Sequence, residues 1–208
     1  FLADSERENG EMTTAPCANP GAMTDLKEPG LTAYLSKSDN PKRKLSHSLE
    51  ILEVDGGLVG INTAHPNRIV EAALRAGEVP GLDTYETIRR EVKYGENSRI
   101  DLLLESEGKP LCYVEVKNVH LMRDKGFAEF PDSVTARGTK HLRELATMVS
   151  QGQRAEMFYL VQRTDCNRLG FASDIYPLYA ETLSKVVAAG VEVICWDCNI
   201  TLEHIPLN

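Results

Sequence analysis

Residues 98–118 read SRIDLLLESEGKPLCYVEVKN, and this stretch restricts the fold more than any other. Two apolar runs flank a turn-forming SEGKP, the pattern of a β-hairpin made for a core. Ionisable residues interrupt both runs: Asp101 in the first, Glu115 and Lys117 alternating with valines in the second. Burying a charge unpaired in a sheet costs several kcal/mol, so these groups need a reason to be there.

Alternation along a strand sends residues two apart to one face. Tyr113, Glu115 and Lys117 are therefore expected on one face, with Cys112, Val114 and Val116 on the other. Asp101 and Leu103 are expected to share a face, opposite Ile100, Leu102 and Leu104. A turn centred on Gly108 sets Asp101 across from Glu115, so two carboxylates and an ammonium converge. Close carboxylates repel unless a cation lies between them. A divalent ion such as Mg²⁺ or Mn²⁺, bound by carboxylates, water and phosphate oxygens, meets that need. Lys117 would then orient or deprotonate a water, or stabilise charge on the phosphate. The chemistry predicted is metal-assisted phosphodiester hydrolysis. The plainer alternative is a surface hairpin with a cross-strand Glu–Lys pair.

The flanking sequence reads as two regions. Residues 1–60 are β-rich: FLADSER, EMTTAPC, LTAYLS and SLEILEV are short strands divided by Asn-Gly, Pro-Gly and Asp-Asn-Pro, a spacing that suits a small OB-like barrel. A boundary is expected within DGGLVGINTA, leaving 61–208 as an α/β sandwich around a mixed sheet. PNRIVEAALRAG reads as a helix from a proline to Gly77, and DTYETIRREVKYG as a second helix closed by Gly95. On that second helix Glu91 borders the buried face and reaches the hairpin patch. TARGTKHLRELATMVSQG is an amphipathic helix with Leu142, Leu145 and Val149 inward. RAEMFYLVQR is a buried strand, PLYAETLSKVVAAG a helix and VEVICWDCNI a last strand.

Composition limits the alternatives. A formal net charge of -8 argues against a protein that coats DNA with a basic surface, while leaving room for a local basic groove. No apolar run is long enough to span a bilayer, and no membrane partner is expected. Five scattered cysteines point to reduced thiols in the cytoplasm. The CWDC at Cys195–Cys198 lies in a strand and reads as buried thiols rather than a redox or zinc centre. Neither a P-loop nor a dinucleotide fingerprint is present, so an enzyme of sugar metabolism finds little support. The chain begins at Phe1 rather than Met, and a short preceding piece is expected. Oligomeric state is left open.

Glu91, Asp101 in NSRIDLLL and EVK at 115–117 together resemble the PD-(D/E)xK nuclease core. NPGAMTDLKEPG, SDNPKRKL, GLVGINTAHPNRIVEAAL, REVKYGENSRIDLLL, CYVEVKNV, FPDSVTARGTKHLREL and LVQRTDC resemble the sugar fermentation stimulation protein family over nearly the whole chain. That resemblance implies DNA binding, an N-terminal OB-like domain and a nuclease-like α/β domain. It implies Asp101, Glu115 and the Val116 carbonyl as ligands to Mg²⁺ or Mn²⁺, Lys117 as catalytic lysine and Glu91 as a supporting acid. Pro20 stands where the family leads one to expect a hydroxyl residue.

Two basic groups are candidate contacts for a phosphate backbone. Lys37, Lys42, Arg43 and Lys44 lie in or beside one loop of the β-rich region, with Tyr34 the nearest aromatic. Arg99, Arg137, Lys140 and His141 flank the hairpin patch, the last three in a polar helical stripe with Glu144. A solubilising loop and a solvated helix face are the respective alternatives. Contact with DNA is expected to be weakly sequence-specific and salt-dependent. A non-catalytic DNA-binding regulator of sugar utilisation is the alternative to a nuclease.

Overall fold

The structure, a computed structural model, describes residues 1–207. It opens with β1 (Leu2–Glu6), β2 (Met12–Pro16), β3 (Thr32–Lys37), β4 (His47–Val54) and β5 (Gly57–Gly60). Strands β1 and β2 pair with each other, β3, β4 and β5 form an antiparallel sheet, and a parallel bridge between Cys17 and Leu49 links the two sheets. Ala15, Leu26, Leu49, Leu52, Val59 and Ile61 pack between them. The expected β-rich region is thus present as two linked sheets, whose pairings among the described residues do not close a barrel.

Helix α1 (Pro66–Ala76) forms where expected. Pro66 sits in the first turn, where a missing N–H costs nothing, and Gly77 closes the helix at φ 71° with its N–H on the Ala73 and Leu74 carbonyls. There follow β6 (Thr87–Tyr94), β7 (Ser98–Glu105), β8 (Cys112–Val119), β9 (Leu121–Asp124), β10 (Phe127–Phe130), α2 (Ala136–Ser150), β11 (Arg154–Val161), β12 (Arg168–Phe171), α3 (Pro177–Ala188) and β13 (Glu192–Asp197). The main sheet has the order β13-β11-β8-β7-β6, parallel across β13, β11 and β8 and antiparallel at β7 and β6. One face packs Leu102, Leu104, Val114, Val116, Phe158 and Leu160 against Val70, Ala73 and Leu74 of α1. The other packs Leu103, Val119, Met157 and Tyr159 against α2 and α3. The small sheet β12-β10-β9, not anticipated from the sequence, adds to the α2–α3 side through Ala128.

Two expectations need correction. The segment expected as a second helix is strand β6, so Glu91 lies on a strand and not on a helix. Ile88 and Val92 are spaced as on a helix face, but pairing with the edge of β7 outweighs that weak local preference. Tyr94 pairs with Ser98, so Gly95 at φ 53° turns a hairpin rather than capping a helix. The strict alternation expected in β7 also fails. Ile88 and Leu104 are paired and pack on the α1 side, whereas Val92 and Ile100, also paired, pack on the α2–α3 side. The faces exchange at Glu91, which adopts a left-handed φ of 52°, and at Asp101, which the β6–β7 ladder skips.

Candidate active site

Strands β7 and β8 pair through Leu102–Val114, Leu103–Tyr113 and Leu104–Cys112. This is the register required by a turn centred on Gly108, whose φ is 74°, and carried one pair further it sets Asp101 opposite Glu115. The ladder stops there and the Asp101 side chain takes its place. Oδ2 accepts the Val116 N–H at 2.8 Å, and Oδ1 accepts from Nδ2 of Asn67, in the first turn of α1, at 2.8 Å. The carboxylate is half-buried and stands in the gap between two strands.

Glu115 points to the α2 side and is 2% exposed. Its Oε1 accepts from Lys117 Nζ at 2.6 Å and from Nδ1 of the buried His141. Its Oε2, among the described residues, has no hydrogen-bond partner. Arg137 donates its Nε–H to His141 Nε2 at 3.2 Å. Burial opposes the ionisation of Glu115, but the Lys117 ammonium and the His141 hydrogen bond outweigh it and hold the carboxyl below its usual range. Asp101 goes the other way: burial and then the Glu115 charge push it up to about 6, against Lys117 and its two hydrogen bonds. Two adjacent carboxyls with their acidities pushed apart are equipped for different roles.

Around this pair the interior is polar. The buried Tyr94 hydroxyl and the Glu144 Oε2 atom are also without partners among the described residues. Burial, then Glu115 and Glu144, raise the Tyr94 phenol above its usual range. Glu144 Oε1 accepts the Glu96 N–H at 3.0 Å, so part of the expected helical stripe is turned inward. Neither Asn67 nor Tyr94 was singled out from the sequence. Their signal is spatial, since each lies on a different element from the residues it meets.

The expected basic residues fall into two places. Glu91, Arg99, Arg137, Lys140 and the edge of His141 line one open cleft of about 560 Å³. Among the described residues no hydrogen bond joins Glu91 to Asp101, Glu115 or Lys117. His141 is 3% exposed, so it does not belong to a solvated phosphate-binding stripe; its ring is committed to Glu115 and Arg137. Lys37, Lys42, Arg43 and Lys44 are exposed at the β3–β4 turn, and none of them lines that cleft. Arg43 is tethered to Ser48 Oγ at 2.9 Å, and Tyr34 donates its hydroxyl to Glu53 at 2.9 Å.

The loop around Pro20 has a structural anchor. Asp132 Oδ2 accepts the Ala22 N–H at 2.9 Å and faces His120 at 3.5 Å, which with Ser133 holds its carboxyl down to about 2 against burial. A Cβ on Gly21 would come within 2.3 Å of that oxygen, so this close docking requires glycine. The loop thereby fastens the β-rich region just ahead of α2. The cysteines are free thiols, and burial pushes Cys112 and Cys198 up to about 12. Cys195 departs from expectation in being exposed.

Fold and site together define a protein with an N-terminal β domain and a mixed-sheet α/β domain carrying a buried acid–lysine cluster. Residues 64–204 match the family described as the sugar fermentation stimulation protein RE domain, and residues 1–61 match the SfsA N-terminal OB domain. The chain belongs to the sugar fermentation stimulation protein family. It is 56% identical over 208 residues to a sugar fermentation stimulation protein homolog of Paramagnetospirillum magneticum, covering 100% of this chain and 88% of that one. It is 54% identical over 212 residues to the homolog of Maricaulis maris, covering 100% and 90%. The structure of Pyrococcus furiosus SfsA in complex with Ca²⁺ superposes with a TM-score of 0.88 at 24% identity, over 99% of this chain and 86% of that one. The fold is accordingly an OB domain followed by an α/β domain with a mixed sheet. Among the described residues no helix is long and apolar enough to cross a membrane.

Proposed function

We propose that this chain binds DNA and hydrolyses its phosphodiester bonds at Asp101, Glu115 and Lys117, with Mg²⁺ or Mn²⁺ held by the two carboxylates and the Val116 carbonyl. One observation carries the reading: among the described residues, Glu115 Oε2 is buried without a partner on a carboxylate that its neighbours keep ionised. Beside it, burial and then the Glu115 charge make Asp101 resist ionisation. A hard divalent cation with oxygen ligands relieves both conditions at once. No group of three or more His, Cys, Asp or Glu among the described residues is gathered tightly enough for a metal. In this reading two carboxylates, a carbonyl and water or phosphate oxygens form the ligand set, as suits Mg²⁺. Val116 gives its N–H to Asp101, and a strand residue's N–H and C=O leave by the same edge, so its carbonyl faces the same gap.

When bound, the cation would supply charge neutralisation at the phosphate and a more acidic water. This chain's residues do the rest. Lys117 stabilises negative charge on the phosphate, and Asn67 and the Val116 N–H fix the Asp101 carboxylate. Arg99, Arg137 and Lys140 in the cleft hold the strand, with Glu91 as supporting acid on its rim. The basic β3–β4 turn adds backbone contact on the OB domain, weakly specific and weakened by salt. The Ca²⁺ complex of the Pyrococcus furiosus relative supports the cation assignment, since Ca²⁺ also takes oxygen ligands.

Incubating plasmid and single-stranded DNA with Mg²⁺ or Mn²⁺ tests this directly. The wild type should cleave in an EDTA-sensitive manner, and Asp101→Ala and Lys117→Ala should not. Equal, EDTA-insensitive background in all three would overturn hydrolysis, and a mobility shift at low salt would then favour a non-catalytic DNA-binding regulator.

A further inference from the structure

We infer that His141 is a positioning residue for Glu115, with its tautomer set by Arg137; the inference rests on the cation-site reading above. Arg137 and His141 are four apart on α2 and so share one helix face. Thr135 caps the helix by accepting the Gly138 N–H, and Leu142 and Leu145, both fully buried, seat the turn that carries His141. The ring is therefore delivered by a fixed backbone to a fixed place.

The hydrogen bonds then assign the ring's proton. Arg137 Nε–H can only donate, and it donates to His141 Nε2 at 3.2 Å. The ring hydrogen is thus on Nδ1, and it is given to Glu115 Oε1. That oxygen also receives Lys117 Nζ at 2.6 Å. With Oε1 doubly engaged, the Glu115 rotamer is locked and Oε2 is the oxygen presented to a ligand. Hydrogen-bonded support of this kind behind a ligating carboxylate governs how well it binds a cation. Arg137 also lines the cleft, so one side chain joins the phosphate-binding wall to the orientation of the carboxylate.

The test uses the full chain and Mn²⁺ alone, titrated by calorimetry and by the electron paramagnetic resonance signal of the unbound ion. His141→Leu should weaken Mn²⁺ binding about 10-fold or more. His141→Asn, whose amide can donate from near the Nδ1 position, should recover most of the loss. Arg137→Met, at an exposed position, should have a smaller effect in the same direction. In histidine labelled with ¹⁵N, the His141 ring should carry its hydrogen on Nδ1, and Arg137→Met should shift it toward a tautomer mixture. A folded His141→Leu that binds Mn²⁺ as tightly as the wild type would overturn the inference, as would a hydrogen found on Nε2. Should His141→Leu not fold, the tautomer and Arg137→Met decide the matter. A wild type that fails to bind Mn²⁺ at millimolar concentration would remove the cation-site reading and this inference together; binding insensitive to His141 removes only the inference.

Discussion

Two adjacent strands of the main sheet each bury a glutamate, and the two are treated in opposite ways. Glu115 on β8 is 2% exposed and Glu156 on β11 is 1% exposed, and each has a carboxyl oxygen with no partner among the described residues. Lys117 and His141 close on Glu115 and keep it ionised. For Glu156, burial and then Glu192 push the carboxyl up to about 8, opposed only by Arg154. Arg154 is itself committed to Glu192 through two 2.8 Å hydrogen bonds. Burial of an acid is therefore not what distinguishes a site in this protein. The distinguishing feature is a set of donors from other positions that keeps the buried charge and leaves one oxygen for something else.

Removing each carboxyl should have effects of opposite sign. Glu115→Ala leaves Lys117 and His141 facing a gap, and breaking a buried pair in this way should cost about 3–5 kcal/mol in urea unfolding. Among the described residues Glu156 has no such partners, so its contribution follows the proton. The native state keeps a proton that the unfolded chain has released, so stability falls as pH rises from 4.5 toward about 8. Glu156→Gln should remove a loss of about 3 kcal/mol near neutral pH. A wild type whose unfolding free energy is flat over that window would break the contrast.

Asp101 shares the sign of Glu156 but has a remedy. Its folded pKa is raised from 3.8 to about 6, so without a divalent ion its penalty grows across that window and persists above it. Asp101→Asn should abolish this pH dependence, although its amide NH₂ then faces one of the two N–H donors and offsets the gain in stability. In the proposed reading, Mg²⁺ should restore stability to the wild type and not to the variant. The smallest effect on stability is expected at the basic turn. Lys42→Ala, Arg43→Ala and Lys44→Ala combined should change unfolding by less than about 0.5 kcal/mol per site. The same variant should nevertheless weaken DNA mobility shifts at low salt and flatten their salt dependence. Unaltered shifts would move the OB-domain contact surface elsewhere.

The hairpin was legible because its information is local: alternation and a glycine turn fix the β7–β8 register within 21 residues of continuous sequence, 98–118. Helices α1, α2 and α3 were legible for the same reason: α1 and α3 start at a proline, α2 starts behind Thr135, and each carries its apolar spacing within its own segment. Strand β6 was not. Its Ile88 and Val92 imitate helical spacing, and nothing within TIRREVKY reveals that β7 offers an open edge. The exchange of faces at Glu91 and Asp101 was equally hidden, because it depends on a left-handed residue in a strand that only the fold selects. In the sequence His141 reads as part of a phosphate-contacting stripe, since nothing local shows that the α2 face it shares with Leu145 is turned to Glu115. In the sequence Asn67 reads only as part of a helix start, although it holds Asp101.

The contrast between the two glutamates is open to one direct measurement: a pH titration of the side-chain carboxyl ¹³C resonances, with Glu115→Gln and Glu156→Gln supplying the assignments. Glu115 should titrate below the 4.5 of an ordinary glutamate and Glu156 near 8. A Glu115 that titrates at or above 4.5, or a pair that titrates together, would contradict that contrast.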